Sequence, residues 1–262
     1  MTDFISNLLR VVPEDNTDPI HYFGGSPSVE GAQCPTCKIP LLQLLNIDCS
    51  DPLLADKSFG PWKKLSFLFC WTCIRDVYYT ASGPNAIHVI HTDQSALEDS
   101  RPQYENYPRS FPQHSVLLRV GIPDDVKATA RRMIEEWQSK DGDDEELEIW
   151  EPSAGEQGEL SRFFGHPVKT TFCLTHHQFG GHNLGPPWQD DEYRCPNSNC
   201  KSRSKRGRKM TFIARILNAP QHGLPMIETL ESRNPNEYNY DVAVQYHICE
   251  SCFTLVGSNR SG

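Results

Sequence analysis

Cysteine spacing constrains this chain more than any other feature. Eight of its ten cysteines fall into four close pairs. Three pairs are Cys-x-x-Cys: Cys34/Cys37, Cys70/Cys73 and Cys249/Cys252. The fourth, Cys195/Cys200, has four residues between its members. The N-terminal stretch carries Asp3 early and lacks a basic segment leading into an apolar one, so no secretory signal is expected. No apolar run approaches the roughly 20 residues of a membrane span, so no membrane partner is expected either. The expected setting is cytoplasmic and reducing, where paired cysteines serve as metal ligands more often than as disulfides.

The pairs group two by two. Cys34-Pro35-Thr36-Cys37 and Cys195-Pro196-Asn197-Ser198-Asn199-Cys200 each open a knuckle, and each has a Cys-x-x-Cys downstream after a strand-like run. Those runs are Leu65–Phe69 and Asp241–Ile248, the second alternating apolar and mostly polar residues with the period of a half-buried strand. A knuckle, a strand, and a strand entering a second knuckle make a zinc ribbon, since two turns can bring four sulfurs to one tetrahedron. The assignment is two structural Zn2+ ions, one on Cys34, Cys37, Cys70 and Cys73, the other on Cys195, Cys200, Cys249 and Cys252. Free thiols or a single redox pair are the alternatives, but redox Cys-x-x-Cys opens a helix in a βαβ setting, which is not the pattern here. Four thiolates leave no open coordination position, so the expected role is folding rather than chemistry. A deaminase-type zinc would want His-x-Glu, which occurs nowhere in the chain. Cys49 and Cys173 are left over and read as small buried apolar residues.

The chain also repeats itself. His21-Tyr22-Phe23-Gly24-Gly25 and His177-Gln178-Phe179-Gly180-Gly181 share H-x-F-G-G. Each precedes a knuckle, an apolar strand (Leu41–Ile47, then Met210–Ile216), a closing strand and a Cys-x-x-Cys. This order implies a mainly β (α+β) fold of two duplicated β-rich halves, each with a zinc-ribbon-like four-cysteine site. The expected boundaries are an N-terminal segment 1–19, a first half 20–118, a helix and acidic linker 119–164, and a second half 165–262. Within the linker, Pro123-Asp124-Asp125 starts a helix, and Val126, Ala130, Met133, Ile134 and Trp137 keep helical spacing. Asp141–Glu151 holds seven acids in eleven residues and reads as a solvated loop, or as a partner-binding strip. Residues 94–112 read as a loop.

The paired glycines permit positive φ and close backbone approach. Phosphate cradling needs a glycine loop opening a helix, whereas Pro27 and Pro186-Pro187 follow these pairs, so a structural turn is expected. His176, His177 and His182 crowd the second copy, and a metal or enzymatic role for them is the sharper alternative to core or surface histidines. No Ser/His/Asp, Cys/His or paired-carboxylate set emerges, and the expectation is a protein that is not an enzyme.

The residues Phe23-Gly24-Gly25-Ser26-Pro27, Cys34-Pro35-Thr36-Cys37, Pro40-Leu41-Leu42-Gln43-Leu44, Phe179-Gly180-Gly181, Pro187-Trp188-Gln189 and Cys195-Pro196 carry a resemblance. In this combination the chain resembles the family that joins the bacterial YwqG-like proteins, of unknown function, with the eukaryotic programmed-cell-death-protein-2 group. The resemblance covers both halves and little of 94–165. It implies a β-rich, internally duplicated fold without established enzymatic activity. For the eukaryotic group it implies a chaperone that shelters a newly made ribosomal protein.

Charge separates the parts of the chain. The total is −9, which argues against a wholesale nucleic-acid coat. Residues 168–262 alone are basic, with 11 cations against 8 acids. Their excess sits in Lys201, Arg203, Lys205, Arg206, Arg208 and Lys209, six cations in nine residues. Neutralising six phosphates would give a log–log salt slope of about −5 on duplex DNA. The stretch has no aromatic for base stacking. It reads as a solvated hairpin tip, or as a contact for RNA, DNA or an acidic protein. The leading expectation is a non-enzymatic, zinc-stabilised protein-binding module, chaperone-like or antitoxin/immunity-like, with a protein partner. The alternative is a nucleic-acid-binding zinc-ribbon protein that uses 201–209.

Overall fold

The computed structural model describes residues 9–13, 19–73, 76–90, 110–120, 177–181, 192–201, 207–217 and 243–259. These residues are mainly β. The strands are β1 (Leu9–Pro13), β2 (His21–Gly25), β3 (Leu42–Asp48), β4 (Lys64–Phe69), β5 (Val77–Gly83), β6 (Ala86–Ile90), β7 (Phe111–Val120), β8 (His177–Phe179), β9 (Thr211–Leu217), β10 (Ala243–Ile248) and β11 (Leu255–Asn259). The one helix among the described residues is a single 3₁₀ turn, Pro52–Leu54, capped by the Asp51 carboxylate on the Leu53 N–H. The helix and acidic stretch expected within 119–164 lie outside the described residues, except that Arg119 and Val120 end β7.

All eleven strands join one sheet, in the order β4-β3-β2-β7-β1-β8-β9-β10-β11-β5-β6. Every neighbouring pair is antiparallel. The sheet curls until β4 lies against strands from its far side. Phe67 of β4 packs edge-on to Phe179 of β8, with centroids 5.9 Å apart, and to Tyr246 of β10 at 4.9 Å. The free edge of β4 is satisfied by a side chain: the Tyr79 hydroxyl of β5 accepts from the Leu68 N–H (3.0 Å) and donates to the Ser66 carbonyl (2.8 Å). Burial raises the Tyr79 phenol well above its usual range, so the hydroxyl stays protonated. Gly257 lets β11 pass close to β4, because a Cβ there would lie 3.0 Å from the Leu68 carbonyl oxygen.

The expected strands hold, with changed edges and company. β10 is buried along its whole length, Gln245 and His247 included, so it is not half-buried as its alternation predicts. The loop expected to run to residue 112 gives way at Phe111, which opens β7. The segment 1–19, set apart from both halves in the sequence reading, supplies β1. That strand sits between β7 and β8 with Leu9 and Val11 fully buried.

Both parts of the chain use the same local devices. Phe23 pairs with Leu45 and Phe179 with Ala214. Next to those positions, β3 and β9 each carry one extra residue: Leu44 between Gln43 and Leu45, and Ile213 between Phe212 and Ala214. Such bulges turn side chains that would alternate onto a common face. The glycines behind each Phe take positive φ: +69° and +79° at Gly24 and Gly25, +72° and +67° at Gly180 and Gly181. Gly24 also admits β7, since a Cβ there would lie 2.2 Å from the Pro112 carbonyl oxygen. The Phe-Gly-Gly motif is thus a strand-end device.

Candidate metal centres

Each cysteine site is built from two chain turns at the ends of paired strands. In the first, the Cys34 N–H donates to the Ile39 carbonyl, and the Lys38 N–H returns to the Cys34 carbonyl. Lys38 takes a φ of +64°, which tightens the turn so that both sulfurs face one point. Cys70 and Cys73 follow β4 directly. In the second site it is the closing turn that has this form: the Phe253 N–H donates to the Cys249 carbonyl, and Phe253 has a φ of +56°.

The sulfurs converge as expected. Cys34, Cys37, Cys70 and Cys73 form one group and Cys195, Cys200, Cys249 and Cys252 the other, with all Sγ atoms of a group within 4.8 Å of one another. The close separations are Cys34–Cys73 3.8 Å, Cys37–Cys70 3.6 Å, Cys195–Cys252 3.5 Å and Cys200–Cys249 3.7 Å. All eight are free thiols. Four ligands at the usual Zn–S distance of about 2.3 Å sit about 3.8 Å apart on a tetrahedron, so both groups fit a tetrahedral ion of that size. Among the described residues no other His, Cys, Asp or Glu cluster could hold a metal.

Electrostatics within the groups favours a cation. A proton shared with Cys70 holds the Cys34 thiol below its ordinary value, and the same hydrogen bond pushes Cys70 up. Burial and its sulfur neighbours push Cys73 up to about 12. In the second group Cys249 is lowered and Cys195 raised by their mutual hydrogen bond. Cys34 and Cys249 as thiolates therefore suppress ionisation of Cys70 and Cys195, and a divalent cation would remove that conflict by compensating the sulfurs together. Cys49 is different: burial, aided by the Asp48 charge, pushes it up to about 12. It packs against the core as a neutral thiol. Cys173 lies outside the described residues.

The basic stretch is an expansion of the second site. Residues 193–195 pair with 208–210 through the Cys195 N–H to Arg208 carbonyl and Met210 N–H to Tyr193 carbonyl bonds, both 2.8 Å. Residues 32–34 pair with 39–41 in the same way at the first site. The corresponding span is thirteen positions from Cys195 to Arg208 but five from Cys34 to Ile39. Of the six cations, Lys201 and Lys209 are exposed. Arg208 is turned back onto the closing knuckle, where its guanidinium donates to the Ser251 hydroxyl and lies 3.6 Å from the Glu250 carboxylate. Arg203, Lys205 and Arg206 lie outside the described residues.

Neither described histidine of the H-x-F-G-G motifs stands at a metal cluster. His21 is buried. Its Nδ1 accepts from the Asp48 N–H (3.0 Å), so Nε2 carries the proton and donates to Asp51 (2.7 Å). His177 is buried and stacks on Phe23, with ring centroids 4.9 Å apart and planes 7° from parallel. His176 and His182 lie outside the described residues.

Sequence reasoning missed the contacts between the two parts, one of which reaches the second cysteine site. Trp62, in the loop after β3, donates its indole N–H to the Phe253 carbonyl at 2.9 Å, and Gly60 lies against the Phe253 ring. The partners stand 191 positions apart, beyond the reach of any local pattern. Among the described residues no helix is long and apolar enough to cross a membrane. No family model, curated protein or solved structure matches this chain.

Proposed function

We propose that this chain is a non-enzymatic protein-binding module whose fold is stabilised by two zinc ions. The observation that carries this reading is the pair of four-thiol groups. Each supplies a full tetrahedral ligand set from rigid strand ends and leaves no position for substrate or water. All-sulfur donors of this geometry suit zinc best in a cytoplasmic setting. The paired bulges at Leu44 and Ile213, the paired glycine turns and the matching knuckle pairings support an internally duplicated chain. The resemblance to the programmed-cell-death-protein-2 group supports a chaperone-like role, sheltering a partner chain, and an antitoxin-like sequestering role shares the same physics.

A native pull-down from the source cell, with and without nuclease, tests this. A stoichiometric, nuclease-resistant protein partner is the expected result. A chain recovered alone under gentle lysis overturns the reading. The competing reading, contact with RNA or DNA through 201–209, draws on the exposed Lys201 and Lys209. It requires that retention on nucleic acid fall steeply with salt and vanish when the six cations are replaced.

A further inference from the structure

Turns of the same form serve the two cysteine groups, but the residue that ends each turn is used differently. Lys38 and Phe253 each follow the second cysteine of a Cys-x-x-Cys and donate their N–H to the carbonyl of the first. Both take positive φ, +64° and +56°. Lys38 is exposed, and its ammonium folds back onto the Pro35 carbonyl of its own turn at 2.6 Å. Phe253 is engaged by the other part of the chain. Its carbonyl accepts from the Trp62 indole N–H at 2.9 Å. Its ring fills the space over Gly60, where a Cβ would lie 2.2 Å from a ring carbon. Trp62 is buried and meets Tyr79 edge-on, with centroids 6.2 Å apart. Tyr78, next to Tyr79 on β5, packs against the apolar shell of the second group, which Tyr193, Met210 and Val256 form with its cysteines. The first part of the chain therefore supplies part of the wall of the second metal centre.

We propose that the second cysteine group is a metal-operated latch on the first part of the chain, with Phe253 as its moving part. The inference rests on the zinc-stabilised reading above. A residue with a side chain stays at positive φ only while its surroundings hold it there. With Cys249 and Cys252 tied to one ion, the turn that ends at Phe253 is fixed. Without the ion, Phe253 relaxes toward negative φ. The peptide that follows then rotates, so the Phe253 carbonyl leaves the Trp62 indole and the ring leaves Gly60. Linkage makes the effect reciprocal: docking of Trp62 favours the ion by the same factor by which the ion favours docking. The first group is not expected to share this dependence, since the Lys38 contact stays within its own turn.

The test uses the full, zinc-loaded chain with isotopically labelled tryptophan. Elemental analysis should find that Cys252→Ser has lost one of the two zincs. Hydrogen exchange at the Trp62 indole N–H of that variant should be at least about tenfold faster than in wild type, because the group now opens locally. Exchange at Trp71, between the cysteines of the first group, should keep its wild-type rate. The reverse arm is Trp62→Phe, which keeps an aromatic ring and deletes the donor. Under a chelator the ion of the second group should leave this variant several-fold faster than wild type, and the ion of the first group at an unchanged rate. The backbone amides of each knuckle follow each ion separately. This arm decides alone should Cys252→Ser not fold. Release of both ions accelerated alike, or of neither, overturns the proposal. A Trp62 indole in Cys252→Ser that exchanges at the wild-type rate, or in step with Trp71, overturns it too. In those cases two zincs in the wild-type chain leave the zinc-stabilised reading standing. A wild-type chain that binds no zinc defeats that reading and the latch together.

Discussion

At the residue scale, zinc ions bound as proposed would let the eight clustered thiols dominate the energetics. Structural zinc in small domains contributes about 10–16 kcal/mol in apparent binding free energy, as large as the net stability of about 5–15 kcal/mol of a whole domain. Cys70→Ser should therefore reduce bound zinc from two ions per chain to one and abolish native circular dichroism over much of the first half. Elemental analysis and spectroscopy on the same sample check both parts. Acid should act in the same direction. Every ligand must be a thiolate to hold the ion, and without a cation Cys70 and Cys195 are pushed up by the hydrogen bonds they share with Cys34 and Cys249. Cys73, pushed up to about 12 without a cation, regains its proton readily. Zinc release to a colorimetric indicator should rise as pH falls, and the alkaline limb should be flat. The clustering of the eight cysteines was legible in the sequence because each pair is local, and the pairing of pairs followed from the strands between them. The role of His21 was not legible. It is defined by Asp51, 30 positions away, and a lone histidine carries no spacing to read.

At the element scale, strands with strong apolar runs were legible and strands defined by their neighbours were not. β3, β4, β9 and β10 lie within two residues of their expected starts and ends, since Leu, Ile, Phe and Val runs between turn residues mark them. β1 was missed because its five residues end in proline and make sense only between β7 and β8. The alternation of β10 misled for a related reason: Gln245 and His247 are polar yet buried, the His247 ring packing against Tyr193 and Phe212. Two element-level devices can be tested. Gly24→Ala places a side chain at a φ of +69° and 2.2 Å from the Pro112 carbonyl oxygen. The conformational part alone costs about 1–2 kcal/mol, so the urea midpoint should fall by clearly more than for Gly83→Ala, where nothing lies closer than 3.6 Å. Tyr79→Phe leaves the Leu68 N–H and the Ser66 carbonyl of β4 without their partner. Each unsatisfied buried group costs about 1–3 kcal/mol. Amide exchange at Leu68 should accelerate more than at the β3–β2 ladder, which Tyr79 does not touch.

At the scale of the whole molecule, two sequence halves do not make two separate bodies. β11, from the second part of the chain, lies between β10 and the β5–β6 hairpin of the first. β1 joins β7 to β8, and Phe67 packs against both Phe179 and Tyr246. Trp62 is anchored on the turn of the second cysteine site. Pairings over such sequence separations leave no periodic trace, which is why the sequence does not reveal them. A fragment of residues 1–120 puts this to the test. It retains β1–β7 and all four thiols of the first group, so it should still bind one zinc. It loses the strand beside β5, the strand beside β1 and two of the rings around Phe67. Edge strands stripped of partners expose unpaired backbone and apolar faces. The fragment should therefore show a metal-bound knuckle with narrow amide dispersion by nuclear magnetic resonance, no cooperative thermal transition and a tendency to aggregate. The full chain should melt in one transition. A fragment that melts cooperatively with well-dispersed amides would mean that the first half folds alone, and that the strand exchange through β11 and β1 is a docking of two finished domains.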